Sequence, residues 1–285
     1  MAKVLSVSSQ VVYGHVGNSV TAFVMQRLGH EVWSVPAIVL SNRPDYRAVA
    51  GLRIPPADID AMLEAGLDNG WLSQADAIMT GYLPSAEHVK LCARWVSRLK
   101  SLRPQLVYLC DPVLGDEPGG MYIDPSAAAA VRDLLLPLAD IATPNRFELG
   151  WLTGRDVSRI ETAMVATRAL KVPTVLATSL PDAEQKQLTN LVLCSDAIHV
   201  TTVSCVSTFA HGTGDFIAAA FMARLLDGES LGDALSFATS ATEMAIAASD
   251  GADELLLIPS QDLWTKASPA RLSPSHHLRS ILQEQ

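Results

Sequence analysis

The sequence predicts an α/β fold with a mostly parallel central sheet and antiparallel strands at the edge. Short runs rich in β-branched residues alternate with longer Ala- and Leu-rich amphipathic runs, a pattern typical of parallel strands joined by crossover helices. The chain has 285 residues, of which 49% are hydrophobic and 18% charged, enough apolar material for a large core. No internal repeat or linker-like stretch interrupts the pattern, so we expect a single domain over residues 1–285.

The predicted elements follow one another in chain order. We predict strands over residues 4–8, 31–39, 76–80 and 106–110, shorter strands over 141–142 and 174–177, and a helix over 19–28. Residues 182–187 then read as a polar turn, and the runs 191–193 and 197–203 leave no room for a helix, which predicts antiparallel strands at one edge. Helices return over 214–226 and 231–248, and the tail after Thr265 is either a surface helix or a loop.

Charge and cysteine content exclude several classes of protein. The 21 basic and 30 acidic residues give a net charge of −9, and no Lys/Arg cluster occurs, so we expect no nucleic-acid or membrane partner. The four cysteines, Cys92, Cys110, Cys194 and Cys205, form no CxxC pair, which favours free thiols in a reducing, cytoplasmic location. We also predict no signal peptide and no membrane span, because no apolar run approaches about 18 residues.

The segment Gly212-Thr213-Gly214-Asp215 is the first candidate site. It directly precedes a strong helix former, FIAAAFMARLL. Glycines before a helix expose N–H groups at the positive end of the helix dipole, which suits a transferring phosphoryl group. A carboxylate beside them could accept a proton from a substrate hydroxyl. The alternative is that Asp215 only caps the helix.

Two more polar segments follow predicted strands. Asp111 ends the apolar run 106–110, where open α/β sheets place their ligand crevice. Thr143-Pro144-Asn145 follows the short strand 141–142, and Asn145 with Glu148 could equally form a helix capping box. Each segment has a purely structural alternative, but three such segments in one chain indicate a shared ligand site.

Several well-known signatures are absent from the sequence. No G-x-x-x-x-G-K-[ST], H-R-D, D-F-G, G-x-S-x-G or H-E-x-x-H motif occurs. The run Gly14-His15-Val16-Gly17-Asn18 is not G-x-G-x-x-G, which argues against a dinucleotide site. The chain is therefore neither a P-loop enzyme nor a typical protein kinase.

Taken together, these motifs resemble those of pyridoxal kinases, in the ribokinase superfamily. The resemblance is carried, in order, by residues 9–18 (SQVVYGHVGN), 40–42 (LSN), 80–82 (TGY), 111–116 (DPVLGD), 143–148 (TPNRFE) and 212–215 (GTGD). It implies a ribokinase-like three-layer α/β/α sandwich, most often homodimeric. It also implies ATP-dependent phosphorylation of the 5′-hydroxymethyl group of pyridoxal, with Mg²⁺ and with help from K⁺.

The resemblance also implies roles for individual residues. Asp215 matches the catalytic base, with Gly212, Thr213 and Gly214 as the anion-binding turn. Positions at the substrate are matched by Ser9, Val16, Tyr82, Pro44 and Asp45. Positions around the nucleotide phosphates and their cations are matched by Asp111, Tyr122, Thr143, Asn145, Glu148 and Thr178. Of these, Asp111 and Glu148 would hold Mg²⁺, which prefers oxygen ligands and keeps several waters.

The sequence departs from the family at two points. Pro44 stands where pyridoxal kinases commonly have a substrate-contacting threonine, and it has neither a hydroxyl nor an N–H group; Arg43 or Asp45 could substitute for it. His211 stands where an apolar residue is usual, and it is either a spectator or a pH-sensitive pocket residue. Two alternatives therefore stay open: a hydroxymethylpyrimidine or related vitamin-precursor kinase, and a catalytically weak pyridoxal phosphate-binding protein.

Overall fold

The fold is built on eleven strands in the part of the chain that the computed structural model describes, residues 1–181, 187–195, 197–204 and 211–273. In chain order they are β1 (Lys3–Val11), β2 (Glu31–Leu40), β3 (Gly51–Arg53), β4 (Ala77–Thr80), β5 (Val107–Cys110), β6 (Gly115–Asp116), β7 (Gly120–Met121), β8 (Ile141–Ala142), β9 (Thr174–Pro181), β10 (Gln187–Cys194) and β11 (Ala197–Ser204). Strands β6 and β7 form a separate small hairpin, and the other nine form one sheet.

The nine-stranded sheet has the order β11-β10-β9-β8-β5-β4-β1-β2-β3. The central strands β9, β8, β5, β4, β1 and β2 are mutually parallel. Strands β10 and β11 continue one edge in antiparallel pairing, as the sequence predicts. The opposite edge carries a further antiparallel strand, β3, that the sequence did not indicate. With all six central strands running one way, their carboxyl ends share one edge of the molecule.

Helices cover both faces of this sheet. They are α1 (Asn18–Arg27), α2 (Pro56–Asp68), α3 (Ala86–Leu102), α4 (Pro125–Ala130), α5 (Arg146–Thr153), α6 (Ile160–Ala169), α7 (Thr213–Leu226), α8 (Leu231–Ala248) and α9 (Gln261–Trp264), with short 3₁₀ turns at Leu72–Gln74 and Leu136–Leu138 and one π-turn at Val131–Leu135. None of the helices in the described ranges is long and apolar enough to cross a membrane.

Strand alternation divides most apolar side chains between two large cores, and a third, smaller core joins α5 and α6 to β9, β10 and β11. Leu5 and Val7 of β1 face a core shared with α2, α3 and α4, whereas Val4 faces a core shared with α1, α7 and α8. Strand β9 repeats the division, since Val175 and Leu176 lie in opposite cores. The arrangement confirms the three-layer α/β/α sandwich that the resemblance implies.

Besides the unpredicted β3, β6 and β7, the predicted and observed strands differ at their ends. Strand β1 continues to Val11 rather than ending at Ser8, because the polar residues after Val7 keep their main-chain pairing with β2 across a bulge at Ser8/Ser9. Strand β9 likewise extends to Pro181. At the start of the tail, Leu272 pairs with Thr201 in an isolated bridge. The predicted turn lies almost wholly outside the described residues, as do Cys205 and the chain after residue 273.

Candidate active site

The polar segments predicted from sequence meet at the carboxyl edge of the sheet. Asp111 follows β5 and its N–H donates to the Thr80 carbonyl (2.9 Å) at the end of β4. Thr143 follows β8 and its N–H donates to the Cys110 carbonyl (3.2 Å). Thr178 lies in β9 beyond its pairing with β8, and its N–H donates to the Pro144 carbonyl (3.0 Å). Three neighbouring strands therefore place these side chains in one row.

Asp215 lies in the first turn of α7, which begins at the same edge of the sheet. The helix is preceded by Gly212 in a left-handed conformation (φ 87°), where a Cβ would clash with the His15 carbonyl oxygen. The Asp215 carboxylate does not cap its own helix in this structure: its Oδ2 accepts the N–H of Gly17 at 2.8 Å. The first N–H groups of α7 have no intrahelical acceptor, so they are free to donate to an anion beside this carboxylate.

Burial shapes the protonation of Asp215. Removal from water raises its pKa from 3.8 to about 6, and the hydrogen bond from Gly17 opposes part of this rise. A carboxyl group with such a pKa is ionised at neutral pH and is a stronger base than an exposed aspartate. Asp215 can therefore accept a proton from a hydroxyl group held beside it.

Glu148 joins two segments of the site through its carboxylate. Its Oε1 accepts the N–H of Leu114 (2.8 Å) and its Oε2 accepts the N–H of Asn145 (2.9 Å). The Asn145 side chain accepts the N–H of Glu148 in return (3.0 Å), which completes a capping box at the start of α5. The capping alternative is thus correct for these residues, and it is compatible with ligand binding because three backbone N–H groups occupy only three of the four lone-pair positions of the carboxylate.

Asp111 experiences the charges of the other two carboxylates. Burial first, then the charges of Glu148 and Asp215, raise its pKa well above the usual range. The pKa of Glu148 is also raised, to about 7, chiefly by burial, although three backbone N–H groups oppose the rise. Carboxylates that destabilise one another in this way are relieved by a divalent cation between them.

The surroundings of Asp111 fit a cation that takes only some of its ligands from the protein and the others from a nucleotide and water. The Thr143 hydroxyl is buried without a hydrogen-bond partner of acceptable geometry in the described ranges, although it lies beside Asp111 and slightly opposes the rise of its pKa. Within those ranges no cluster of three or more His, Cys, Asp or Glu side chains could hold a metal by itself. A cation here would therefore complete its shell with water and phosphate oxygens, as Mg²⁺ commonly does.

Other residues assigned to the nucleotide lie around this row. Asn145 donates its side-chain N–H to the Gly115 carbonyl (2.8 Å) and thus ties α5 to the β6–β7 hairpin. Tyr122 follows that hairpin and is exposed, with its N–H donating to the Leu114 carbonyl (3.0 Å). Thr178 is buried and directly precedes Ser179, whose φ of 57° turns the end of β9.

The residues assigned to the acceptor substrate lie nearer to β1. Ser9 stands at the bulge of β1, and its side chain and carbonyl pack so closely on Gly17 that a Cβ there would clash with both. Val16 is partly buried in the turn before α1. Tyr82 packs its ring against the core below the site, and its N–H donates to the Ser8 hydroxyl (3.1 Å).

The segment that departs from the family pattern has an unexpected arrangement. Pro44 is exposed, whereas Arg43 before it is buried. Asp45 bridges two groups: its Oδ1 pairs with Arg43 Nε (2.7 Å) and its Oδ2 with His211 Nε2 (3.3 Å). His211 thus contacts the loop after β2. The partner of Arg43 on its other side is Glu254, a residue that no motif in the sequence indicated.

The chain resembles known proteins along most of its length. A family model described as phosphomethylpyrimidine kinase matches residues 24–254. A pyridoxine/pyridoxal/pyridoxamine kinase of Bordetella avium is 37% identical over 265 residues, which cover 91% of this chain and 90% of the relative. A pyridoxal kinase of Corynebacterium diphtheriae is 34% identical over 266 residues, with 91% and 94% coverage.

Solved structures give the same result for the fold. The pyridoxal kinase from Leishmania donovani in complex with ADP has a TM-score of 0.89 and 27% sequence identity, covering 95% of this chain and 99% of that one. The same kinase in complex with ADP and pyridoxine also has a TM-score of 0.89, at 28% identity, with 95% and 98% coverage.

Proposed function

The chain belongs to the pyridoxal kinase family, and we propose that it transfers the γ-phosphoryl group of ATP to the 5′-hydroxymethyl group of pyridoxal. The products are pyridoxal 5′-phosphate and ADP. The observation that carries this proposal is the placement of Asp215: a buried carboxylate whose pKa is raised to about 6, at the anion-binding start of α7 and facing the Asp111 row.

The geometry suggests how the residues would act. Asp215 accepts the proton of the substrate hydroxyl while the hydroxyl oxygen forms a bond to the γ-phosphorus. The bond from that phosphorus to the β,γ-bridging oxygen breaks, which releases ADP. The N–H groups of Thr213 and Gly214 at the start of α7 stabilise negative charge on the phosphoryl oxygens. Ser9, Val16 and Tyr82, with the loop containing Pro44 and Asp45, hold the pyridine ring so that its hydroxymethyl group faces Asp215.

Mg²⁺ fits the Asp111 side of the site. Asp111 and Glu148 would hold it, the latter through water, and the cation would neutralise charge on the β- and γ-phosphates. Around the same phosphates we place Tyr122, Thr143, Asn145 and Thr178. Removal of divalent cations with a chelator should therefore abolish transfer, and exchange of K⁺ for Na⁺ tests the activation by K⁺ that the family resemblance implies.

We also propose that residues 1–285 form a single domain in a cytoplasmic enzyme. The nine-stranded sheet draws its strands from Lys3–Val11 through Ala197–Ser204 without a division, and α1, α7 and α8 share one core on that sheet. The thiols of Cys92 and Cys110 are buried and unpaired, which fits a reducing compartment. No nucleic-acid or membrane partner is proposed, in keeping with the net charge of −9.

A second candidate acceptor is hydroxymethylpyrimidine or a related vitamin precursor. The description of the matching family model, phosphomethylpyrimidine kinase, favours keeping this acceptor in the test. Both acceptors carry a hydroxymethyl group on a nitrogen heterocycle, so the same base and phosphate site would serve either one. Only the ring-binding residues would discriminate between them.

A panel of acceptors tests the proposal directly. Purified protein is incubated with ATP, Mg²⁺ and pyridoxal, pyridoxine, pyridoxamine or hydroxymethylpyrimidine, and ADP release is measured by a coupled assay. We expect the largest kcat/KM with pyridoxal. A preference for hydroxymethylpyrimidine would replace the proposed substrate, and binding of pyridoxal phosphate without any ADP release would show a binding protein instead.

A further inference from the structure

The carboxylate of Glu254 lies where three segments of the chain meet. Its Oε2 accepts the N–H of His15 (3.1 Å) in the turn before α1. Its Oε1 accepts from Arg43 Nη1 (2.5 Å) and from the Tyr46 hydroxyl (3.0 Å), both in the loop after β2. Glu254 itself comes from the segment after α8 and is only 8% exposed. A single carboxylate thus links segments that are far apart in sequence.

The turn held by Glu254 is the one that contacts the catalytic aspartate. Gly14, at its start, has a φ of 95°, and a Cβ there would lie 2.6 Å from Glu254 Oε2, so the carboxylate fits against the bare backbone. Gly17, at its end, donates its N–H to Asp215 (2.8 Å). Between them, the His15 carbonyl packs against Gly212 so closely that no side chain fits. A shift of this turn would therefore move both the donor to Asp215 and the glycine that starts α7.

The same carboxylate fixes the acceptor side of the site. Arg43 is 8% exposed, and besides Glu254 it contacts the Asp253 carbonyl (2.5 Å), Asp45 (2.7 Å) and the ring face of Tyr46 (4.6 Å to the centroid). Burying a guanidinium and a carboxylate together costs desolvation energy, so such a pair adds little net stability. The Arg43–Glu254 pair therefore serves mainly to fix the position of the loop after β2.

We propose that Glu254 is a positioning residue for phosphoryl transfer, which holds the 14–17 turn against Asp215 and pins the Arg43–Tyr46 loop over the acceptor. Glu254 contacts the site only through other groups, so it is not itself catalytic. This inference rests on the proposed function for its kinetic part. The alternative is that Glu254 only neutralises Arg43 and affects stability alone.

Two substitutions test this role in the full-length enzyme. In Glu254→Ala the His15 N–H loses its acceptor and the turn is released, so we expect kcat for pyridoxal to fall by about tenfold or more, as loss of a well-oriented base requires. KM for ATP should stay within about twofold of the wild-type value, because the substitution does not alter the row formed by Asp111, Thr143 and Thr178. Glu254→Gln keeps one acceptor oxygen, which can serve His15 or Arg43 but not both, so it should recover only part of kcat.

The pH profile and hydrogen exchange separate positioning from mere stability. The acid limb of the wild-type profile should lie near pH 6, the pKa of Asp215. Without a held Gly17 N–H, the Asp215 carboxylate loses a stabilising donor, so the limb of Glu254→Ala should move to higher pH. Exchange measured by mass spectrometry should become faster in a peptide covering residues 12–19.

Asp76 provides a matched control at the other end of the parallel strands, directly before β4. It also accepts one backbone N–H, from Lys3 (2.9 Å), and pairs with one guanidinium, Arg103 (2.9 Å). Asp76→Ala should lower Tm while leaving kcat, the acid limb and exchange over residues 12–19 unchanged. An equal fall of kcat in Asp76→Ala, or near-normal kcat and exchange in Glu254→Ala, would overturn the proposal.

Two further provisions keep the outcome decisive. If Glu254→Ala does not fold, Glu254→Asp keeps the charge beside Arg43 but is one methylene too short to hold His15 as well, and it should show the same faster exchange with a smaller fall in kcat. If the wild-type enzyme prefers another acceptor, the kinetics are run with that acceptor. A wild type without kinase activity refutes the proposed function, whereas the exchange experiment still decides whether Glu254 holds the turn.

Discussion

At Asp215, burial and a single hydrogen bond act on the pKa in opposite directions. Burial raises it towards neutrality, and the Gly17 N–H keeps it low enough for the carboxylate to be ionised at pH 7. The residue is thereby a usable base at the cost of a buried charge. Such a compromise is common where a site favours activity over stability.

The first prediction concerns catalysis by this residue. Asp215→Asn removes the proton acceptor while keeping the size of the side chain and an oxygen for Gly17. We expect kcat to fall by roughly 10²–10⁴-fold, the usual contribution of a general base, with little change in ATP affinity. Steady-state kinetics with pyridoxal and ATP measure both. Near-normal turnover would show that Asp215 has no role as the base.

The second prediction concerns stability in the same variant. Because the folded pKa is about 6 against 3.8 for an ordinary aspartate, wild-type stability falls as pH rises between these values, where only the folded state still binds the proton. Asn carries no charge, so Asp215→Asn should be more stable than wild type by up to about 3 kcal/mol above that window. Urea unfolding at about pH 8 and about pH 4 measures the difference, which should shrink at the lower pH. If the difference in stability between Asp215→Asn and wild type were the same at both pH values, the buried charge would carry no such cost.

Individual residues also show what the sequence could and could not foretell. Asp111, Glu148 and Asp215 each follow a strand or start a helix within a recognisable motif, so their convergence could be predicted. The pairing of Arg43 with Glu254 could not, because Glu254 stands in no motif and the contact spans 211 positions of sequence. Only the folded chain brings them together.

Among the elements, the start of α7 requires only one of its two glycines for its backbone conformation. Gly212 needs a positive φ and space beside His15, whereas a Cβ at Gly214 would meet nothing within 4 Å. The motif alone does not distinguish these requirements.

The third prediction contrasts these two glycines. Gly212→Ala should lower stability by about 2 kcal/mol or more, from left-handed strain and the clash with the His15 carbonyl, and should lower kcat with it. Gly214→Ala should leave the fold intact and raise stability by up to about 1 kcal/mol, since alanine favours helix. Thermal unfolding of both variants measures this. An equal loss of stability in the two would contradict the assignment.

Element boundaries were the less predictable part of the fold. The parallel strands and the antiparallel pair β10–β11 follow from their hydrophobic patterns, but β3 does not, since its residues Gly51, Leu52 and Arg53 are all exposed and show no buried face. Its position is fixed by main-chain pairing with β2, which side-chain pattern does not report.

At the scale of the whole molecule, the β3 edge of the sheet carries several exposed apolar side chains. Leu52 (59% exposed), Val12 and Val49 lie on or near this edge, next to a strand with one unpaired side. Open strand edges with apolar side chains readily pair with another chain. We propose that this edge, defined by Val12, Val49 and Leu52, forms the contact in the homodimer that the family resemblance implies.

The fourth prediction tests that contact. Leu52→Glu should shift the protein from dimer towards monomer, because it would place a charge in the proposed apolar interface. Leu102, 55% exposed at the end of α3 and away from this edge, offers a matched control, and Leu102→Glu should leave the mass unchanged. Light scattering coupled to size exclusion gives the mass. A monomeric wild type, or a dimer unaffected by Leu52→Glu, would refute the proposed interface.

The buried thiols beneath the site have a consequence for how opening of this molecule can be followed. Cys92 of α3 and Cys110 of β5 lie in the same core, and burial raises the pKa of each to about 12. Because the thiolate is the reactive form, neither thiol reacts while the core is closed. The rate at which these thiols are alkylated therefore reports how often the core between α3 and the sheet opens. A nucleotide or acceptor that binds at the strand ends above these cysteines would stabilise the closed state. It should therefore lower the alkylation rate, and more so the more tightly it binds.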